Sequence, residues 1–244
     1  MSKVYLTGAG PGDVELLTIK ALNIIKKADV IIYDRLVNKD ILNEAKNSVK
    51  LVYVGKKESH HTLSQDKINE LLVNYALKYD IVVRLKGGDN FIFGRGGEEA
   101  IYLALHNISF EIIPGISSVI SVPSYAGIPL TNRGISSSFK VVSGHEDINH
   151  QGLSKLNWNK FDSNDTIVFL MGYNRLELII KNLLNVGFSK STLIALISKG
   201  TLKDQKVVIG NFENIVNLSK NLKSPVLIII GEVIKLRDKI RWFD

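Results

Sequence analysis

The densest chemistry in this chain lies between Arg84 and Glu99, in the string RLKGGDNFIFGRGGEE. Five glycines, four acidic or amide residues and three cations share those positions. Glycines leave backbone that a ligand can approach closely, because no side chain intervenes. Asp89 can accept hydrogen bonds from a ligand hydroxyl or amine, and Arg84, Lys86 and Arg95 can meet carboxylates. A plain loop needs neither so many glycines nor so many charges, so this segment reads as a binding loop.

A second loop, Gly8-Ala9-Gly10-Pro11-Gly12-Asp13, invites comparison with a dinucleotide fingerprint, with Asp34 as its distal acid. The fit fails twice. Asp13 stands where the last glycine belongs, and Pro11 removes an N–H where a pyrophosphate cradle needs donors. The loop suits a ligand without phosphates, packed against backbone. Four shorter motifs lie further along the chain: Pro114-Gly115-Ile116-Ser117-Ser118, Gly127-Ile128-Pro129-Leu130-Thr131-Asn132-Arg133-Gly134, Met171-Gly172 and Gly200-Thr201. Each alone reads as a turn.

The elements that must position these loops are short β-branched runs alternating with amphipathic stretches. Strands are expected at Lys3–Thr7, Val30–Tyr33, Lys50–Val54, Ile81–Leu85 and Phe110–Ile113. Helices are expected at Leu17–Ala28, at Gln65–Leu77 with Ser64 as N-cap, and around Glu98–Leu105. This βαβαβαβαβ order implies a parallel α/β sheet, with both glycine-rich loops at carboxyl ends of strands, where such sheets bind ligands. Residues 116–126 read as short and mixed. Beyond them, strands at Lys140–Ser143, Thr166–Leu170, Leu193–Ile197, Lys206–Ile209 and Val226–Ile230 share a less regular half. It has one long helix at Leu176–Leu184, a shorter one near Glu213–Leu218, and expected antiparallel pairs. His145–Asn157 reads as a polar surface loop. Two α/β domains are expected, 1–114 with a parallel sheet and 115–244 with a mixed one.

The 244 residues are 45% hydrophobic and 23% charged, an ordinary globular balance. No apolar run approaches the ~18 residues of a membrane span, and no signal-peptide pattern precedes the first strand, so the cytoplasm is expected. The absence of cysteine excludes disulfides, thiolate metal sites and a cysteine nucleophile, and no metal is expected. The net charge of +7 fits either a lysine-rich solvated surface or a field that draws a polyanion. Without a basic stretch interleaved with aromatics, no nucleic-acid partner is expected.

In this order, GAGPGD, YDRLV (Tyr33–Val37), VGK (Val54–Lys56), VVRLKGGD, FIFGRGGEE, PGISS, GIPLT, MG, GT and SP resemble the tetrapyrrole methylases. The likeness spans nearly the whole chain and is strongest to the branch acting on uroporphyrinogen III, including the methylase part of siroheme synthase. It implies two α/β domains with S-adenosylmethionine in the cleft between them, S-adenosylhomocysteine as product, and a homodimer. By motif position it puts Pro11, Gly87, Gly88, Asp89, Ile92, Ser117, Ser118, Met171 and Gly200 at the cofactor. It makes Asp34 the proton acceptor and Lys56 the proton donor.

The implied reaction is direct attack of an electron-rich pyrrole carbon on the sulfonium methyl, performed twice to give precorrin-2 for siroheme or cobalamin. The substrate's carboxylates would meet Arg35, Arg84, Lys86, Arg95 and Arg133. The chain begins at the methylase, so the oxidase and chelatase activities of siroheme synthase are expected from other enzymes. Two positions depart from the resembled pattern. Asn90 replaces a proline and is expected to loosen its turn; Asn132 replaces a histidine, losing a titratable ring while keeping a hydrogen-bonding amide. A later precorrin methylase, a protein-modifying relative such as diphthine synthase, a dinucleotide oxidoreductase and a non-enzymatic binding module are the competing readings.

Overall fold

The structure, a computed structural model, describes residues 2–55, 63–144 and 156–243. The chain divides into two compact units, Met1–Ser117 and Ser118–Asp244. The first runs β1 (Lys3–Gly8), α1 (Ile19–Lys27), β2 (Val30–Tyr33), β3 (Lys50–Tyr53), α2 (Gln65–Ala76), β4 (Ile81–Lys86), α3 (Gly96–Leu105) and β5 (Phe110–Ile113). Its five strands lie in the order β3-β2-β4-β1-β5 and every pairing is parallel. Val30, Ile31 and Ile32 are all fully buried, as a strand covered on both faces requires. Ile25 of α1 packs on one face of the sheet; Leu72 of α2 and Leu103 of α3 pack on the other.

Helices α1 and α2 start where short polar side chains cap them. Thr18 Oγ1 accepts from Ala21 N at 3.2 Å, and Ser64 Oγ accepts from Lys67 N at 3.3 Å. One crossover differs from the expected pattern. Between β2 and β3 the chain forms a 3-10 helix, Lys39–Glu44, rather than an α-helix. Asn38 caps it by accepting from Asp40 N at 3.0 Å, and few residues remain before β3 for a longer element.

Adjacent strands β1 and β4 send the chain in opposite directions. β1 leads through α1 to β2, β4 leads through α3 to β5, and the two helices cover opposite faces. The carboxyl ends of β1 and β4 therefore form a topological switch point, where open parallel sheets leave a crevice.

The second unit runs α4 (Ser118–Tyr125), β6 (Phe139–Ser143), β7 (Thr166–Leu170), α5 (Leu176–Asn185), β8 (Leu193–Ser198), β9 (Lys206–Asn211), α6 (Ile215–Leu218), β10 (Val226–Ile230) and α7 (Arg237–Ile240). Its sheet is mixed, in the order β6-β7-β10-β8-β9, with β6 parallel to β7 and the other pairs antiparallel. β10 lies between β7 and β8, so those two run the same way and their carboxyl ends share one edge. The stretch read as short and mixed contains α4, despite Pro123 inside it. Burial of Val119 and Val122 against Ala195, Ile197 and Ile229 outweighs the poor helical propensity there. Residues 145–155 of the expected polar loop lie outside the described residues. Among the described residues, no helix is long and apolar enough to cross a membrane.

Candidate active site

At the switch point the first unit is built from touching backbone. Gly10 N donates to Gly88 O at 3.2 Å, and Gly88 N returns a bond to Gly10 O at 2.7 Å. Ala9 N donates to Lys86 O at 2.7 Å. A Cβ on Gly115 would fall 2.2 Å from Gly88 O and 2.7 Å from Gly8 Cα, and one on Gly8 would fall 2.5 Å from Gly115 Cα. Only glycine allows the three loops after β1, β4 and β5 to meet so closely. Gly12 O accepts from Asn38 Nδ2 at 2.7 Å, which ties the loop carrying Pro11 to the turn after β2.

Asp89 locks this junction. Its Oδ1 accepts from Phe91 N at 2.8 Å, and its Oδ2 accepts from Gly115 N at 3.0 Å. Each oxygen keeps a second lone pair, so a ligand donor can still bind. Gly87 passes so close to Leu36 that a Cβ would lie 2.7 Å from the Leu36 Cβ. Ile92 is exposed, between the equally exposed Phe91 and Phe93, while Ser117 and Ser118 are half-buried. The backbone cradle, the anchored carboxylate and the exposed apolar side chains beside it suit a ligand without phosphates, since Pro11 withholds an N–H that a phosphate would need.

Asn90, next to that lock, reverses an expectation. It is fully buried, and its Nδ2 donates to Leu6 O at 3.0 Å and to Ile113 O at 2.9 Å. The residue braces β1 against β5 rather than loosening the turn.

The cations of β4 behave differently from the sequence reading. Arg84 and Lys86 are 3% and 4% exposed, and both bind Glu99, which is fully buried on α3. Glu99 Oε1 lies 3.0 Å from Arg84 Nε and 2.8 Å from Lys86 Nζ. Gln65 Nε2 adds a bond to the same oxygen at 3.3 Å. Burial, then the neighbouring Arg84, pull Lys86 below the ordinary lysine range, with Glu99 opposing. These two cations are committed to an internal carboxylate rather than presented to solvent. Arg84 also reaches outward: its Nη2 is 3.5 Å from Asp34 Oδ2. Asp34 follows β2 with its side chain 29% exposed, and its Oδ1 accepts from Leu36 N at 3.1 Å. The candidate base is thus oriented by a turn amide and a buried guanidinium, with an open side.

Arg35, Arg95 and Arg133 are exposed. Arg95 sits at the start of α3 with φ 58° and pairs with Glu98 at 2.6 Å, a contact that pulls Glu98 below the usual carboxylate range. Asn132 is exposed and closes a tight turn, its N donating to Ser136 O at 3.0 Å. Lys56 lies outside the described residues.

In the second unit, Met171 and Gly200 follow β7 and β8 at the shared edge of the sheet. Met171 has φ 57° and is 55% exposed. Gly200 is buried against Val122, whose Cγ1 would lie 2.4 Å from an added Cβ. Sequence reasoning missed Glu99 and Asn90 as organising residues. Glu99 was visible as an acid thirteen positions after a lysine (86 to 99), but no periodicity joins a strand residue to one on the following helix.

Residues 3–216 match the family described as Tetrapyrrole (Corrin/Porphyrin) Methylases. The uroporphyrinogen-III C-methyltransferase of Methanocaldococcus jannaschii is 50% identical over 243 residues, covering 97% of this chain and 98% of that protein. The siroheme synthase of Pseudoalteromonas atlantica is 47% identical over 244 residues, and the chain spans 52% of its length. The crystal structure of a uroporphyrin-III C-methyltransferase from Thermus thermophilus, complexed with S-adenosylhomocysteine, superposes with a TM-score of 0.82 at 37% identity. It covers 96% of this chain and 100% of that one. The chain belongs to the tetrapyrrole methylases.

Proposed function

We propose that this chain is an S-adenosylmethionine-dependent C-methyltransferase that methylates uroporphyrinogen III twice, giving precorrin-2 for siroheme or cobalamin synthesis. The observation that carries this reading is 50% identity, over nearly the full length of both chains, to a protein named for that reaction. Identity at that level and coverage supports the substrate as well as the fold.

Bound S-adenosylmethionine supplies an electrophilic methyl on a sulfonium centre. The residues proposed to hold it, by their place in the family's motifs, are Pro11, Gly87, Gly88, Asp89, Ile92 and Ser117, which belong to the first unit, and Ser118, Met171 and Gly200, which belong to the second. Much of the acceleration comes from alignment of the two reactants, an effect that can supply roughly 7–11 kcal/mol. Asp34 accepts the proton that the macrocycle loses elsewhere once the alkylated ring carbon, which carries no hydrogen, has become quaternary. Its carboxylate is held by Leu36 N and faced by Arg84, and it keeps an exposed edge for the macrocycle. Lys56 is the proposed proton donor. The exposed Arg35, Arg95 and Arg133 are the proposed carboxylate partners; Arg84 acts on the substrate through Asp34, while Lys86 stays paired with the buried Glu99. The enzyme works as a cytoplasmic homodimer, a state that light scattering coupled to gel filtration tests.

The decisive experiment is an anaerobic incubation of purified protein with S-adenosylmethionine and uroporphyrinogen III, followed by oxidation and mass spectrometry. A gain of two methyl groups is expected. An unmethylated macrocycle, from protein that still binds S-adenosylhomocysteine, would retain the cofactor and overturn the substrate.

A further inference from the structure

The buried carboxamide of Asn90 makes no contact that the proposed methyl transfer uses. It is wholly inaccessible, its Nδ2 bridges Leu6 O on β1 and Ile113 O on β5, and its Oδ1 is buried without a donor among the described residues. Leaving an acceptor unsatisfied costs about 1–3 kcal/mol, so the carboxamide makes its two bonds at the expense of a buried, unpaired oxygen. Asn90 also anchors the next helix: its backbone carbonyl accepts from Gly96 N at 3.0 Å, fixing the start of α3. The neighbouring Asp89 reaches Gly115 N at 3.0 Å.

Two consecutive side chains therefore tie the β4 loop to the ends of β1 and β5, at the place where Gly8, Gly88 and Gly115 have no side chains to do so. Without these ties the three loops touch mainly through backbone packing and the paired bonds between Gly10 and Gly88. We infer that Asn90 is a positioning residue for the cofactor, holding the Gly87–Asp89 turn and the β5 loop at the spacing that the adenosyl group requires. Asn90 touches no ligand itself. It sets the separation of the strand ends from which the cofactor contacts project. The inference rests on the reading of this crevice as the S-adenosylmethionine site.

The test compares wild type with Asn90→Ala and Asn90→Ser. Calorimetry gives the Kd for S-adenosylhomocysteine, steady-state assays give KM for each substrate and kcat, and melting curves report folding. For Asn90→Ala, Kd for S-adenosylhomocysteine and KM for S-adenosylmethionine should rise by about tenfold, equivalent to ~1.4 kcal/mol. KM for the tetrapyrrole should stay close to wild type. Asn90→Ser, whose hydroxyl can donate to one of the two carbonyls, should fall between, and serves if the alanine variant does not fold. A folded variant with lowered melting temperature and unchanged Kd would overturn the inference and leave Asn90 as a packing residue. If wild type itself does not bind S-adenosylhomocysteine, the reading of the crevice fails instead.

Discussion

Replacing Glu99 with glutamine removes one charge from the most deeply buried ion cluster among the described residues and almost no volume. In the native protein the Glu99 carboxylate serves two cations through one oxygen, at 2.8 Å and 3.0 Å, and all three side chains are at most 4% exposed. At an effective dielectric constant near 20, each contact corresponds to roughly 5–6 kcal/mol of Coulomb attraction. Much of that is cancelled by the desolvation of three ions, and the balance is set by what remains when one partner is lost. Glutamine leaves Arg84 and Lys86 buried and repelling each other, with only the partly exposed Asp34 as a counter-charge at 3.5 Å from Arg84.

Losing one partner of a buried pair costs about 3–5 kcal/mol, a large share of the ~5–15 kcal/mol that stabilises a typical domain. Urea unfolding at neutral pH, followed by circular dichroism, measures it. The double change Glu99→Gln with Lys86→Met should recover a substantial part of the loss, because it removes the surplus cation. A loss below about 1 kcal/mol for Glu99→Gln would show that water or rearrangement compensates the cations, and the described cluster would not be the organising feature of β4 and α3.

Three further outcomes are expected from the same geometry. Gly115→Ala places a Cβ 2.2 Å from Gly88 O, so the β4 and β5 loops must separate; stability should fall by about 1–3 kcal/mol in urea and S-adenosylhomocysteine binding should weaken in calorimetry. Asp34→Asn keeps the turn bond to Leu36 N but cannot take a proton; kcat should drop roughly 10²–10⁴-fold in the methylation assay with cofactor binding little changed. Lys86 titrates below 10.5 when folded, so between that lowered value and 10.5 the unfolded chain binds more protons and stability gains with rising pH. The contribution is unfavourable below the folded value, so Lys86→Met should lose this alkaline gain, seen as a flatter unfolding free energy relative to wild type as pH approaches 10.5.

Sequence alone determined the pieces with local causes. Val30–Tyr33 is a strand because an unbroken apolar run suits a strand buried on both faces, and Ser64 starts a helix because its oxygen reaches an amide three residues on. The glycines after β1 and β4 announced a close backbone approach, and their motif order announced the family. Whether a charged side chain near such a loop faces solvent or the interior was a different matter. Arg84 and Lys86 look like carboxylate binders in a linear string, and only the packing of α3 over β4 brings Glu99 onto them. Asn90 looks like a relaxed turn residue until β1 and β5 are laid on either side of it. The 118–125 helix likewise forms because a sheet assembled from residues 139–230 offers its Val119 and Val122 a surface. Local propensity acts over a few residues, whereas burial and charge pairing depend on neighbours that sequence distance does not encode, so those choices were made by the tertiary structure.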